Sequence, residues 1–303
     1  MKNKIIIGSR GSKLALIYAQ RAKKILLTKK HIKNIEIKAI TTTGDTIKDI
    51  RLSEHGGKGL FCKTIEKELL NKKIDIAVHA LKDMPTEETD GLITCCFLER
   101  NNPREVLISN KHKNIKDLKH NAIVGTSSFR REYQIKRIRD DLNCKLIRGN
   151  IDTRIKKLNE NLFDAIILSY AGVESLGMNK NISQIFSTSE IIPSAGQGVV
   201  ALQCRSDDLE LIEILKMINH EPTHYCVIAE RNVLKILEGD CETAVGVFAN
   251  IKEKTLNIEA ELFSLDGEER YYIKSSKNLK LADELGKEVG EILKRKSINS
   301  YKK

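Results

Sequence analysis

The chain has 303 residues, 41% hydrophobic and 31% charged, with a formal net charge of +11, 5% aromatics and no tryptophan. No run reaches the ~18 consecutive apolar residues of a membrane span, and M-K-N-K-I-I-I-G-S-R lacks the apolar core of a signal peptide, so a cytoplasmic protein is expected. The basic excess leaves nucleic acid, an anionic surface or an acidic small molecule open. The low aromatic content argues against a nucleic-acid stripe, and the absence of any C-x-x-C pair among the seven cysteines argues against a metal site.

Taken in chain order, residues 4–8 read as a strand, and Ser12 as the cap of a helix carrying Leu16, Ala19 and Ala22 on one face. Strands follow at 35–41, 74–79 and 92–97, with a helix at 61–70 after the glycine-rich G-G-K-G. Beyond Pro103 come strands at 106–108, 123–125, 145–147 and 165–168, alternating with helices at 128–139 and from Asp152. This is an α/β pattern with largely parallel sheets. From Val245 the style changes to strands at 245–251, 256–264 and 270–274, joined by short polar turns and followed by an amphipathic helix at 279–295. That part reads as a separate α+β domain. Polar or glycine-rich breaks around Pro103 and Pro193 divide the α/β part. If V-V-A-L-Q-C after Pro193 returns to the first sheet, the chain crosses between two α/β lobes twice, which is the plan of a hinged clamp.

The arginines concentrate at strand-end turns. G-S-R-G-S (8–12) places Arg10 beside a helix start, where backbone N–H groups favour anions. G-T-S-S-F-R-R (125–131) supplies Thr126, Ser127 and Ser128, then Arg130 and Arg131 in the first helical turn. Two cations there oppose the helix dipole by about 0.3–1 kcal/mol each, so an anion between them is expected. L-I-R-G-N-I-D-T-R (146–154) adds Arg148 at a strand end and Arg154 one turn into a helix. Arginine's planar fork binds carboxylates bidentately, so three such turns imply a ligand with several negative groups. No P-loop or G-x-G-x-x-G supports a nucleotide. In I-D-I-A-V-H-A-L-K-D-M-P (74–85) a buried strand runs out into Lys82 and Asp83, where ligands of α/β proteins sit; His79 reads as structural. G-G-K-G-L-F (56–61) suits a mobile lid bearing Lys58 and Phe61. L-E-G-D-C-E-T-A-V-G (237–246) puts Cys241 in a polar loop where a thiol is available for chemistry, flanked by Asp240 and Glu242, which would raise its pKa.

Together, G-S-R-G-S-x-L-A-L, G-G-K-G-L-F, I-A-V-H-A-L-K-D-M-P, G-T-S-S-F-R-R, R-G-N-I-D-T-R, S-A-G-Q-G and the E-G-x-C loop resemble, in order and over nearly the whole chain, the porphobilinogen deaminases, also called hydroxymethylbilane synthases. The resemblance implies two periplasmic-binding-protein-like α/β domains joined by a double hinge, plus a C-terminal α+β domain. The implied divisions are 1–98 with 198–218, then 103–193, then 221–303. It implies condensation of four porphobilinogen units, with loss of ammonia, into hydroxymethylbilane, on a dipyrromethane cofactor held by a thioether to Cys241. Asp83 matches the catalytic aspartate: ammonia loss leaves a positively charged azafulvene, which a carboxylate near the pyrrole N–H groups stabilises. Lys82 would help keep Asp83 ionised. Arg10, Ser12, Lys82, Thr126, Ser127, Ser128, Arg130, Arg131, Arg148 and Arg154 match positions that bind the acetate and propionate groups of cofactor and substrate. The implied partner is the small-molecule substrate alone, without nucleic acid or membrane, and the implied state is a monomer.

Two departures stand out. The family's cysteine loop commonly has glycine before the cysteine and proline three residues after it, where this chain has Asp240 and Ala244. In A-G-V-E-S-L-G (171–177), Ser175 stands where relatives often carry an arginine. The competing readings are a non-catalytic two-lobed polyanion-binding protein and a nucleic-acid binder.

Overall fold

The computed structural model describes residues 4–29, 32, 34–46, 59–238 and 243–302. Two compact units emerge from it. The first gathers the described residues up to Thr46, those from Gly59 to Asn101, and Gly198–His224; the second gathers Asn102–Gln197 and the chain from Tyr225.

The first unit is built on a five-stranded sheet in the order β2-β1-β3-β10-β4. Its strands are β1 (Ile5–Arg10), β2 (Ile35–Ile40), β3 (Ile76–Ala80), β4 (Leu92–Phe97) and β10 (Val200–Arg205). Alternation in β1 and β3 sends Ile5, Ile7, Ile76 and Val78 to one face, where they meet Ala19, Ala22 and Leu26 of α1 (Lys13–Leu26) and Leu211 and Leu215 of α7 (Leu209–Lys216). Each fully buried aliphatic side chain there contributes about 1.5–3 kcal/mol. The opposite face packs Ala77, Ile74 and Ile40 on Ile65 and Leu69 of α3 (Lys63–Leu70). A short α2 (Thr43–Thr46) follows β2.

The second unit repeats the plan with the order β7-β6-β8-β5-β9. Its strands are β5 (Glu105–Ile108), β6 (Ile123–Gly125), β7 (Asn143–Lys145), β8 (Ala165–Ser169) and β9 (Gln184–Ile185). One face carries Leu107, Val124 and Ile167 against Ile135 of α4 (Phe129–Ile138). The other carries Val106, Ile166 and Leu168 against α5 (Ile151–Asn159) and α6 (Tyr170–Ser175). The rest of this unit is an antiparallel meander of β11 (Val245–Lys252), β12 (Thr255–Phe263) and β13 (Arg270–Asn278), covered by α8 (Glu221–Leu237) and α9 (Ala282–Ser297). The two helices approach closely because Gly286 and Gly290 face Ala229 and Ile236, where any Cβ would overlap its neighbour.

The α/β pattern and the C-terminal sheet-and-helix part are therefore present, and V-V-A-L-Q-C does return to the first sheet as β10. The sheets are largely parallel as expected, with one strand in each running against the other four. In each sheet only three neighbouring strands run parallel, while β10 and β5 run antiparallel to both neighbours. The reason is where the chain crosses. β4 leaves the first sheet at its carboxyl end and β10 re-enters at that end, with Ala201 opposite Phe97 and Val200 opposite Ala80. In the second sheet β5 enters beside the end of β8, with Glu105 opposite Ser169. The crossing segments are tied together within each unit: Asn101 N donates to Gly198 O at 2.9 Å, and Gln197 Nε2 donates to Pro103 O at 2.7 Å.

Boundaries moved where side chains capped the elements. Asn278 accepts the Lys280 N–H, so 279–281 forms a 3-10 turn and α9 begins at Ala282. The strand expected at 145–147 lies at Asn143–Lys145, so Arg148 sits in coil rather than at a strand end, while Ile147 is buried from that coil. No helix among the described residues is long and apolar enough to cross a membrane.

Candidate active site

The carboxyl ends of the parallel strands carry the chemistry-bearing side chains of both units. In the first unit, Arg10 closes β1 and Ser12 caps α1, its Oγ accepting the Ala15 N–H at 3.3 Å. The Ser12 O–H remains available to donate. β3 ends in a 3-10 turn, Leu81–Asp83, that holds Lys82 exposed and Asp83 half-buried. Three bonds pin this turn: Leu81 N donates to Val199 O, Met84 N to Leu81 O, and the Cys62 thiol to the Asp83 carbonyl at 3.6 Å.

Arg10 Nη1 lies 4.0 Å from Asp83 Oδ2, too far for a hydrogen bond and close enough for strong attraction. The Arg10 guanidinium carbon lies 3.8 Å from the centroid of the Phe61 ring, a cation–π contact. The ring is seated where Gly44 has no Cβ, since any side chain there would overlap it. A small pocket of about 50 Å³ is lined by Arg10, Ser12, Phe61, Cys62, His79 and Asp83 among others. His79 is 6% exposed, and burial pushes its pKa down to about 4, with Gln203 opposing. It is a neutral imidazole at physiological pH, in keeping with its reading as structural. Asp83 and Arg10 are thus brought together with Phe61 and Ser12 at one strand end.

The second unit answers the question raised by two arginines in one helical turn. Ser128 caps α4, accepting the Arg131 N–H at 3.4 Å, and buried Thr126 accepts the Ser128 N–H at 3.2 Å through Oγ1; Ser127 beside them is half-buried. Arg130 Nη2 meets Glu105 Oε1 at 2.6 Å, and Arg131 Nη2 lies 2.9 Å from Glu105 Oε2. Glu105 is fully buried, Arg130 5% exposed and Arg131 7%. Arg130 Nη1 also donates to Ile192 O at 2.7 Å, and Arg131 Nη1 to Ile167 O at 3.3 Å. Burial pushes the Arg130 pKa below its ordinary value, and Glu105 opposes that shift. The anion between the two arginines is therefore a carboxylate of the chain itself. One carboxylate serves both guanidiniums at the helix N-terminus, buried Glu261 adds attraction to Arg130, and Arg131 Nε is buried there with no hydrogen-bond partner. Arg148 is half-buried in the coil after β7, and Arg154 in α5 donates from Nε to Gly149 O at 2.8 Å. Gly149 has φ +113°, a conformation that favours glycine, so R-G-N is the turn that sets these two arginines.

Glu105 and the Cys62 thiol were not singled out in the sequence. Glu105 had a signal: it is the one acid at the head of the apolar strand E-V-L-I, directly after a proline break. Cys62 had none, since its partner is a main-chain carbonyl. Of the two departures, Ser175 donates to Ala171 O at 2.6 Å and so spends its hydroxyl on its own helix, while Ala244 is buried. Cys241, Asp240 and Lys58 lie outside the described residues.

A dipyrromethane carries several carboxylates. Within the second unit, Arg131, whose buried Nε has no hydrogen-bond partner, and the half-buried Arg148 and Arg154 are donors of the chemistry such a group needs, so the residues present fit it.

Comparison with known proteins gives the same direction. The family model described as porphobilinogen deaminase, dipyromethane cofactor binding domain, matches residues 5–213, and that described as porphobilinogen deaminase, C-terminal domain, matches residues 224–295. Similar curated proteins include porphobilinogen deaminases of Syntrophomonas wolfei subsp. wolfei, 42% identical over 287 residues (95% of this chain and 94% of that one), and of Staphylococcus carnosus, 42% identical over 293 residues (96% and 94%). That of Chlorobium luteolum is 45% identical over 269 residues (88% and 85%). Among solved structures, a putative methionine-binding lipoprotein of Bacillus subtilis covers 72% of this chain and 90% of its own, with a TM-score of 0.46 and 16% identity. On two family models that together span most of its length and on relatives alike from end to end, this chain belongs to the porphobilinogen deaminase family.

Proposed function

We propose that this protein is a hydroxymethylbilane synthase, condensing four porphobilinogen units with loss of ammonia on a dipyrromethane joined to Cys241 by a thioether. The observation that carries the reading is Asp83, fixed on its turn at the end of β3 by the Cys62 thiol and facing Arg10 at 4.0 Å. Family membership supports it.

Asp83 is a half-buried carboxylate with the Arg10 guanidinium beside it. It stabilises positive charge that develops on a pyrrole when its aminomethyl substituent loses ammonia, and it accepts and returns the pyrrole N–H proton. Arg10 and Lys82 bind substrate carboxylates, and Ser12 donates its free O–H to them. When bound, dipyrromethane supplies a nucleophilic ring carbon. Arg131, Arg148 and Arg154, with Thr126, Ser127 and Ser128, hold its carboxylates. Arg130, in the same turn, joins them in holding those carboxylates, and its bonds to Glu105 and Ile192 O also tie it to the scaffold. Phe61 covers Arg10 as part of the G-G-K-G-L-F lid, to which Lys58 belongs.

The same reading makes the protein a cytoplasmic monomer with domains at 1–98 with 198–218, 103–193 and 221–303. Porphobilinogen is its partner. The test is the intact mass of the purified full chain. The wild type should exceed its sequence mass by two porphobilinogen units less two ammonia, and Cys241→Ser should show no increment. A wild type that stays unmodified after incubation with porphobilinogen sinks the reading.

A further inference from the structure

β4 and β10 are antiparallel neighbours in the first unit, and their register shifts between Leu202 and Gln203. Cys96 sits opposite Leu202 and Thr94 opposite Gln203, so Cys95 is the extra residue of a β-bulge. The bulge turns its side chain toward Cys204, and the two Sγ atoms stand 4.0 Å apart. Both thiols are free. Cys95 is half-buried and so reachable by a small solute, whereas Cys204 is fully buried beneath it. A disulfide needs about 2 Å between sulfurs, so the pair must approach by about a further 2 Å to bond.

We propose that Cys95 and Cys204 are a reversible oxidation site for a hydroperoxide, with Cys95 attacked first and Cys204 resolving it. In the first step the Cys95 thiolate attacks the terminal oxygen of the hydroperoxide, the O–O bond breaks, the hydroxide or alkoxide leaves and takes a proton from solvent, and Cys95 becomes a sulfenic acid. In the second, Cys204 sulfur attacks the Cys95 sulfur, the S–O bond breaks, the hydroxyl leaves as water with the Cys204 proton, and the disulfide forms. Two thiols have lost two electrons to one peroxide, and a reducing thiol reverses the change.

The surroundings assign the order. The Cys95 thiol is held below its ordinary pKa, first by the hydrogen bond Cys204 offers its thiolate, with Lys216 adding attraction while burial and Glu88 oppose. Cys204 is pushed up by the same hydrogen bond and by burial. Cys96, next in sequence, has burial pushing its thiol up to about 12 and is no competitor. The site is independent of the reaction proposed above and uses none of its residues.

The test is peroxide titration of the full chain, followed by thiol blocking and peptide mapping. The expected result is a cross-linked peptide pair joining 92–97 to 200–205, a loss of two alkylatable thiols, and full recovery with dithiothreitol. In Cys95→Ser the link should vanish. In Cys204→Ala, Cys95 should instead proceed to the irreversible sulfinic acid at the same dose. A link that persists in Cys95→Ser means Cys96 is the partner and overturns the proposal. So does a wild type in which Cys95 stays alkylatable at a dose that oxidises the half-buried Cys144. The wild-type map decides even if Cys204→Ala fails to fold.

Discussion

The two five-stranded sheets make an informative pair. Each has three parallel strands, an antiparallel fourth fed by the chain crossing, and a serine-capped helix after its middle parallel strand: Ser12 on α1 and Ser128 on α4. Each places arginine next to that serine. Yet Arg10 faces a half-exposed Asp83 at 4.0 Å, while Arg130 and Arg131 close on a fully buried Glu105 at 2.6 and 2.9 Å. Local chemistry is shared, and the difference lies in where another strand of the sheet delivers the acid. In the first sheet the acid stands on a turn beyond the end of β3. In the second it is the first residue of β5, inside the sheet. A carboxylate at a strand end stays available for a substrate; one within the sheet becomes part of the scaffold.

The sharpest way to break this comparison is Glu105→Gln. It removes the carboxylate that two buried guanidiniums share, leaving only the attraction of Glu261 on Arg130, and such losses run to about 3–5 kcal/mol. Urea unfolding should show a loss of that size, and a second substitution, Arg130→Met, should recover part of it. A change under about 1 kcal/mol would mean the trio is solvated like Arg10 and Asp83. Asp83→Asn should do the opposite: product formation from porphobilinogen should fall about 10²–10⁴-fold, while the unfolding midpoint stays within error because the group is half-exposed.

A third contrast concerns the fourth residue of the strand beside each crossing strand, His79 in β3 and Leu168 in β8. Burial lowers His79 to about 4 from an ordinary 6.5, so the unfolded chain binds more protons than the folded one between those values. Stability from this group is complete above about pH 6.5 and is lost progressively as pH falls toward 4, by about 3 kcal/mol in total. His79→Gln should flatten that part of the pH–stability curve, and an unchanged slope would remove His79 from the account. The smallest effects are the caps. Ser12→Ala and Ser128→Ala should each cost about 1 kcal/mol in thermal or urea unfolding. A distinctly larger loss at Ser128 would mean the cap also positions Arg131, since the Arg131 N–H is the group it holds.

Much of this was legible along the chain. Strand ends at Gly125 and Phe97 and the Ser12 cap follow from local pattern, because capping and alternation involve residues a few positions apart, whereas the return of β10 to the first sheet stood only as a condition read from the proline breaks. The clustering of arginine at turns was equally plain, as was the prospect of an anion between Arg130 and Arg131. That anion's identity was not, because Glu105 lies 25 residues upstream of Arg130 on a strand whose neighbours are set by the chain crossing. The antiparallel sense of β5 and β10 was missed for the same reason.

By itself, then, the sequence determined most of the elements, the Ser12 cap, the family resemblance and the residues that carry charge, since each depends on spacing within a few turns or on motif order. Only the tertiary structure decided which charges are buried together and which stay open, and which thiols meet across a bulge. Those outcomes depend on strand order and on depth from water, and a charge is worth several kcal/mol more or less according to both.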